Sequence, residues 1–397
     1  MSAGGSAAPT AGAGQDPLLK PPPTAGTAAD SGKTDEPPRA ADNDGFSVVD
    51  GDCDDFAELT NPGAFDVPGN GVDEDCQGGD AISDSCDDTL NMAATDPLEA
   101  ARAIELCQMA TDKDRRWGVL SARWTTPDGK GEPGSHMMHG ILPNLGTSYM
   151  PRHGNSLLAL SSGVARASGQ MGATRDCSDS LPAKSKGLPS GFNGKSTSCE
   201  DADEVTTIED AIALEVKLRI PSNASAVSFD TAFFTDEYPD FICTPFNDFF
   251  QVIVDPPRPG GSKDGNVVFD QDGNSVSVNN SLLRVCAPGE HGGKMFSCPL
   301  GATSLMGTGI DDCMGSLLLP GGLTGGFGRK AAYGASTGWL NTELAVRPGE
   351  VITLRIMIWD SGDSALDSVS IIDHVRFRLR SEPPPPERPK TTPITPS

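Results

Sequence analysis

Carboxylates are the side chains of this sequence best placed to do chemistry. Residues 42–88 hold fifteen Asp and Glu and no Lys or Arg. Asp42-Asn43-Asp44-Gly45 sets oxygen ligands at alternate positions with a glycine at the sharp turn, the first half of a calcium loop. Asp50, Asp52, Asp54 and Asp55 continue the series around Cys53. Two carboxylates about 4 Å apart repel by roughly 4 kcal/mol at an effective dielectric near 20. The segment therefore stays extended or closes around a cation, and oxygen ligands without histidine suit a hard ion, calcium before magnesium. A solvated acidic linker is the competing account, and Cys53 and Cys76 inside the segment argue against it.

A second acidic set lies further along. Glu237, Asn247 and Asp248 occupy one loop, and Asp360, Asp363 and Asp367 another that leads into the last long strand. On that strand Asp373 shares a face by parity with Val369, Ile371, Val375, Phe377 and Leu379, where a lone carboxylate is costly unless paired or metal-bound. The expectation is that the two loops meet at one end of the fold and share a calcium ion with Asp373. The alternative is that Asp373 pairs with an arginine such as Arg355, or escapes through a bulge, while the loop acids cap turns. Asp270-Gln271-Asp272-Gly273-Asn274 mimics a calcium loop but sits between strand-like runs, as a hairpin turn does. His136 and His139 would hold a transition metal only if a third ligand approached, and two polar residues at a loop or strand edge are expected instead. HExxH, GxSxG, Walker and dinucleotide motifs are absent, so no enzyme is expected. A hydrolase would need a carboxylate pair, and Glu237 with Asp363 would be the first to test.

The elements that must position these residues are mostly strands. Ile212, Leu214, Val216, Leu218 and Ile220 alternate with polar neighbours, and Ile352, Leu354, Ile356 and Ile358 repeat the pattern. Further strands are predicted at 117–125, 226–235, 248–255, 265–270, 274–279 and 367–379, with Gly, Pro, Asn and Asp between them. A single short helix is expected between Pro97 and Thr111, started by Asp96. The fold class is mainly β: a jelly-roll-like β-sandwich preceded by a small disulfide-bonded, Asp-rich metal-binding segment and one short helix. The boundaries follow: a Pro/Ala/Gly tether at 1–41, the acidic segment at 42–80, a helical disulfide-linked connector at 81–116, the sandwich at 117–380 and a proline-rich tail at 381–397 that cannot extend a sheet. The loop from Gly169 to Asp203 reads as an insertion.

Ten cysteines without a CxxC pair imply five disulfides and an oxidising compartment. Spacing favours Cys53 with Cys76, Cys86 with Cys107, Cys177 with Cys199 and Cys298 with Cys313, leaving Cys243 with Cys286. A net charge of -25 repels phosphate backbones and anionic lipid, and no apolar run is long enough to span a membrane. Divalent cations are the natural partners, nucleic acid is not. Residues 1–20 have neither a basic start nor an apolar stretch, so the sequence is read as a processed or trimmed form.

Two resemblances sharpen this. Asp42-Asn43-Asp44-Gly45, Asp50-Gly51-Asp52-Cys53-Asp54-Asp55, Asn61-Pro62-Gly63-Ala64 and Gly69-Asn70-Gly71-Val72-Asp73-Glu74-Asp75-Cys76 resemble the MopE-type metal-binding motif of secreted and surface proteins of myxobacteria and other bacteria. The resemblance implies metal binding, adds Asp73 and Asp75 to the ligands and, through the motif's name, puts copper beside calcium. This copy has a shortened opening loop, lacks a cysteine after Pro62-Gly63-Ala64, and reads Val-Asp-Glu-Asp-Cys-Gln where Asp-Asn-Asp-Cys-Asp is usual. Thr235-Asp236-Glu237-Tyr238-Pro239 with Phe246-Asn247-Asp248, and later Ile358-Trp359-Asp360-Ser361-Gly362-Asp363 through Leu366-Asp367-Ser368-Val369, resemble the choice-of-anchor L family. That implies a bacterial surface or secreted protein without established enzymatic activity, with a lipid on a removed N-terminal cysteine as the expected anchor. The function expected is a calcium-stabilised, non-catalytic protein of the extracellular or outer-membrane surface, contacting surface polysaccharide, matrix or another cell-surface protein. A carbohydrate-binding module displaying Trp359 or Tyr333, and a secreted hydrolase, are the alternatives.

Overall fold

The computed structural model describes residues 40–167, 208–262, 264–310, 334–362 and 364–395, with short pieces at 170–171, 188–192, 198–199, 318–319 and 323–324. The tether and nearly all of the 169–203 loop, with Cys177, Cys313, Tyr333 and Asp363, lie outside the described residues.

Two antiparallel sheets carry the fold. One has the order β1 (Gly118–Thr125), β4 (Ile208–Arg219), β9 (Val351–Ser361), β6 (Phe249–Asp255) and β7 (Val276–Ser277). The other runs β11 (Lys390–Pro393), β8 (Leu340–Ala345), β5 (Ala224–Thr235), β10 (Ser368–Leu379), β3 (Leu157–Ser161) and β2 (His139–Leu142), with the two-residue strand Ala335–Ser336 also on β5. Ile212, Leu214, Val216 and Leu218 of β4 and Ile352, Leu354 and Ile356 of β9 meet Val227, Phe229 and Phe233 of β5 and Ile372 of β10 in one core. On the wet face Glu215 receives Arg123 at 2.8 Å and the Arg355 Nε at 2.9 Å, so Arg355 is committed to β4 and does not serve Asp373.

Several expectations are corrected. The helix covers Pro97–Arg102 only, because Glu105 adopts φ +67° and breaks the α-helical path; Ile104 and Leu106 stay buried without it. The strands β2 and β3 were not foreseen, since both are buried along their whole length and show no alternation. The tail does extend a sheet: Lys390-Thr391-Thr392 carries no proline, pairs with Thr342 and its neighbours, and ends at Pro393 on an outer strand, where proline is tolerated. Cys199 bonds Cys243, and Cys286 bonds Cys298, against the pairings ranked by sequence distance. The second bond closes the hairpin Gly289–His291/Lys294–Phe296, and the first is made across 44 residues by folding, which spacing does not report. Cys53–Cys76 and Cys86–Cys107 form as the short spacing suggests.

Candidate metal centre

The acidic segment folds without regular secondary structure beyond one 3-10 turn, Val48–Asp50. Its backbone is shaped by Asx turns, in which a carboxylate accepts the amide two residues on. Asp42 Oδ1 accepts from Asp44 N at 3.0 Å, Asp44 Oδ1 from Phe46 N at 2.7 Å, and Asp52 Oδ1 from Asp54 N at 2.9 Å. Gly45 completes the first loop at φ +92°, a left-handed conformation that favours glycine.

These turns aim three side chains at one point. Asp42, Asp44 and Asp52 each bring a carboxylate oxygen within 4.8 Å of the others. The Oδ2 atoms of all three are buried and accept no hydrogen bond. Among the described residues no Lys or Arg forms an ion pair with any of them; Arg115 lies over the Phe46 ring at 3.9 Å instead. Burial pushes the Asp44 carboxyl up to about 6, helped by the charges of Asp42 and Asp52, and burial likewise raises Asp52. Asn61, fully buried beside Asp44, accepts from Gly63 N at 3.0 Å and from Ser222 Oγ at 2.6 Å, tying the cluster to the chain just before β5.

A second group, Asp66, Asp73 and Asp75, also lies within 4.8 Å. Its oxygens are occupied. Asp66 accepts from Glu74 N and Ala81 N, Asp73 from Gln77 N and Gly79 N, and Asp75 from Gln77 N and the Gln77 side chain. Burial pushes Asp66 up to about 6, with its contact to Glu74 contributing, and raises Asp75. Asp66 was missed in the sequence because it stands alone between Phe65 and Val67, outside any alternating acidic run.

Other predicted ligands have structural duties. Asp50 Oδ2 accepts from Ser47 N and Oγ and caps the 3-10 turn; the Ser47 hydroxyl holds its carboxyl below the usual range. Asp54 takes the Phe56 amide, and Asp55 that of Ala41. His139 is buried, stacks on Trp124 at 3.8 Å, and is pushed down to about 3 by burial and by Arg166, so it is packed as a neutral ring. Asp270 closes a hairpin turn, accepting the amides of Asp272 and Asn274.

In the sandwich the two loops do meet: Asp236 N donates to Asp367 O at 3.2 Å. By register Asp360 of β9 stands next to Asp248 at the start of β6, both fully buried, and Glu237, Asn247 and Asp367 are buried close by in sequence. Among the described residues no three of these acids bring ligand atoms within 4.8 Å of one another. Asp373 does not belong with them. It lies five residues along β10 from Ser368, about 16 Å at strand rise, opposite Asp230. A bulge between Asp373 and Arg376 breaks the parity used to place it, and its carboxylate accepts the amides of Arg152, His153 and His374.

Clustered oxygen donors with buried, unbonded atoms are what a hard divalent cation requires, and the group at Asp42, Asp44 and Asp52 has no nitrogen or sulfur ligand. The profile of the choice-of-anchor L domain matches residues 143–378, more than half of the sequence, and that of the MopE-type metal-binding motif matches residues 52–81. The chain belongs to the choice-of-anchor L domain family. No curated protein and no solved structure matches it. The motif match takes in Asp52 and all three acids of the second cluster, and it leaves out Asp42 and Asp44.

Proposed function

We propose that this choice-of-anchor L protein acts at the bacterial surface or outside the cell as a calcium-stabilised, non-catalytic binding protein. Its principal ion site is built from Asp42, Asp44 and Asp52. One observation carries the reading: three carboxylates come together, each keeping a buried Oδ2 that accepts no hydrogen bond, and among the described residues no Lys or Arg pairs with them. Calcium is favoured over copper because copper sites draw on imidazole or sulfur, and this group offers oxygen alone. Four disulfides among the described residues and the absence there of any helix long and apolar enough to cross a membrane agree with an exported, surface-held chain. Metal analysis of untreated protein, with melting curves in calcium and in chelator, tests it. One tightly held calcium and a midpoint lowered by several degrees on chelation are expected; copper at unit stoichiometry, or identical melting curves, would reject it.

Carbohydrate binding keeps one supporting observation. Trp359 is fully buried against Phe249 and cannot serve as a platform. A recess of about 330 Å³, however, is lined by Trp339, Arg152, Ser148 and Ser304, an aromatic floor beside polar groups. Loss of glycan-array signal in Trp339→Ala would support that use, and an array without hits would remove it.

A further inference from the structure

The recess at Trp339 breaks the charge pattern of the chain. The sequence holds 55 Asp and Glu against 30 Lys and Arg, yet among the described residues the wall of this recess includes one arginine and no acid. Separate stretches build it: Ser148, Tyr149 and Arg152 before β3, Ser304 from the 3-10 turn Thr303–Leu305, Trp339 just before β8, and Thr395 just after β11. Its volume of about 330 Å³ lies at the lower end of the range of about 300–1,000 Å³ that ligand pockets occupy.

The arginine is fixed in place and only partly used. Arg152 N donates to Asp373 Oδ2, which holds the backbone, and Arg152 Nε donates to Asp230 Oδ2 at 3.2 Å. Asp230 is buried, also takes Asn341 Nδ2 at 2.7 Å and contacts His374 Nδ1 at 3.3 Å, and is not part of the wall. A guanidinium carries N–H donors on all three nitrogens, and here only Nε is taken. Nη1 and Nη2 meet no acceptor among the described residues. The guanidinium carbon lies 6.0 Å from the centroid of the Trp339 ring, so the open fork stands at the aromatic floor. Trp339 is itself held, by Ile394 N on its carbonyl at 2.8 Å and by the Tyr149 ring at 6.1 Å, and it stays half-buried.

Each feature selects a part of the ligand. A guanidinium with two free N–H edges matches a planar carboxylate, which accepts two parallel bonds. An indole floor suits a flat apolar face, and the hydroxyls of Ser148, Ser304 and Thr395 suit a polar rim. A sugar ring has both, an apolar C–H face and a rim of hydroxyls. An acidic peptide would supply the carboxylate but nothing for the indole, and a neutral sugar would leave the guanidinium unanswered.

We propose that this recess binds an acidic sugar, a pyranose carrying a carboxylate, with the carboxylate on Arg152 and the ring on Trp339. The proposal rests on the carbohydrate reading of the recess and adds the charge of the ligand to it. It does not involve the aspartate clusters of the N-terminal segment.

A glycan array tests it, printed with uronate-bearing chains, the same chains reduced to neutral sugars, sulfated chains and oligoglutamate, and probed with labelled full chain. The uronate chains give at least a tenfold higher signal than their reduced counterparts. That signal falls tenfold or more in Arg152→Gln, which leaves an amide to face Asp230, and in Trp339→Ala. Neutral chains bound as strongly as acidic ones, through Trp339 and unchanged in Arg152→Gln, overturn the proposal and leave the carbohydrate reading standing; a blank array overturns both. Stronger binding to sulfated chains or to oligoglutamate than to uronates also overturns it. Should Arg152→Gln not fold, competition on the wild type decides: free glucuronate displacing the bound chains at least tenfold better than glucose supports the proposal, and equal competition overturns it.

Discussion

The two acidic clusters of the N-terminal segment differ less in composition than in what their oxygens do. Each brings three aspartates within 4.8 Å. In the Asp66, Asp73 and Asp75 group every carboxylate is held through both oxygens by N–H donors, five of the six acceptors facing backbone amides of the 74–81 turns. In the Asp42, Asp44 and Asp52 group each residue spends one oxygen on its own Asx turn and leaves the other buried and unbonded. Amides neutralise part of a carboxylate's charge without a cation; a bare oxygen in a buried site does not tolerate being left alone. Counting acids therefore does not locate an ion site. The state of the second oxygen does.

That contrast is open to attack from both sides. The largest effect is expected from Asp52→Asn, which removes the most buried charge of the first cluster: calcium affinity falls by about 100-fold, roughly 2.8 kcal/mol. The same change raises the stability of the calcium-free protein, because it relieves carboxylate repulsion. A calcium-free variant that melts below the wild type would break the argument. Next comes pH. Asp44 is raised to about 6, so the calcium-free fold gains from that group below about pH 4 and loses the gain as pH rises through about 6. Calcium binding needs the ionised form and has the opposite trend, strengthening up to about tenfold per unit as pH climbs toward 6. Calorimetric titrations at pH 5 and 7 check the sign.

Asp73→Ala probes the other side. Calcium affinity at the first cluster changes less than about threefold, yet stability drops by about 0.5–1.5 kcal/mol in chelator as in calcium, since the Gly79 amide loses its acceptor and the Gln77 amide loses one of two. Chemical denaturation in both buffers separates the two clusters. The smallest effect is expected from Ser47→Ala, which removes the hydroxyl on Asp50, an acid outside either cluster. A loss of about 1 kcal/mol with unchanged calcium binding would confirm that Asp50 only caps a turn.

The fold was legible where one face of a strand is wet. Ile212 to Ile220 and Ile352 to Ile358 alternate because Glu215 and Arg355 must reach water, and the structure places both runs in adjacent strands. β2 and β3 were hidden by burial on both faces, and the last strand by the prolines around it. The ion site was legible in part. Asp42, Asp44 and Asp52 stood out through spacing, but so did Asp50, Asp54 and Asp55, and nothing in the sequence says which carboxylate keeps an oxygen free. Asp373 shows the cost of extrapolating period two across a bulge: past it Val375 joins the core of Ile372 and not that of Ile371, and Asp373, well away from the acidic loops, spends its carboxylate on the amides of Arg152, His153 and His374.

The central claim is tested most directly by calcium titration calorimetry of chelator-stripped chain, run side by side on the wild type, Asp44→Ala and Asp73→Ala. The account predicts one strong calcium in the wild type, lost in Asp44→Ala and kept in Asp73→Ala. A strong site that survives Asp44→Ala and disappears in Asp73→Ala would contradict it.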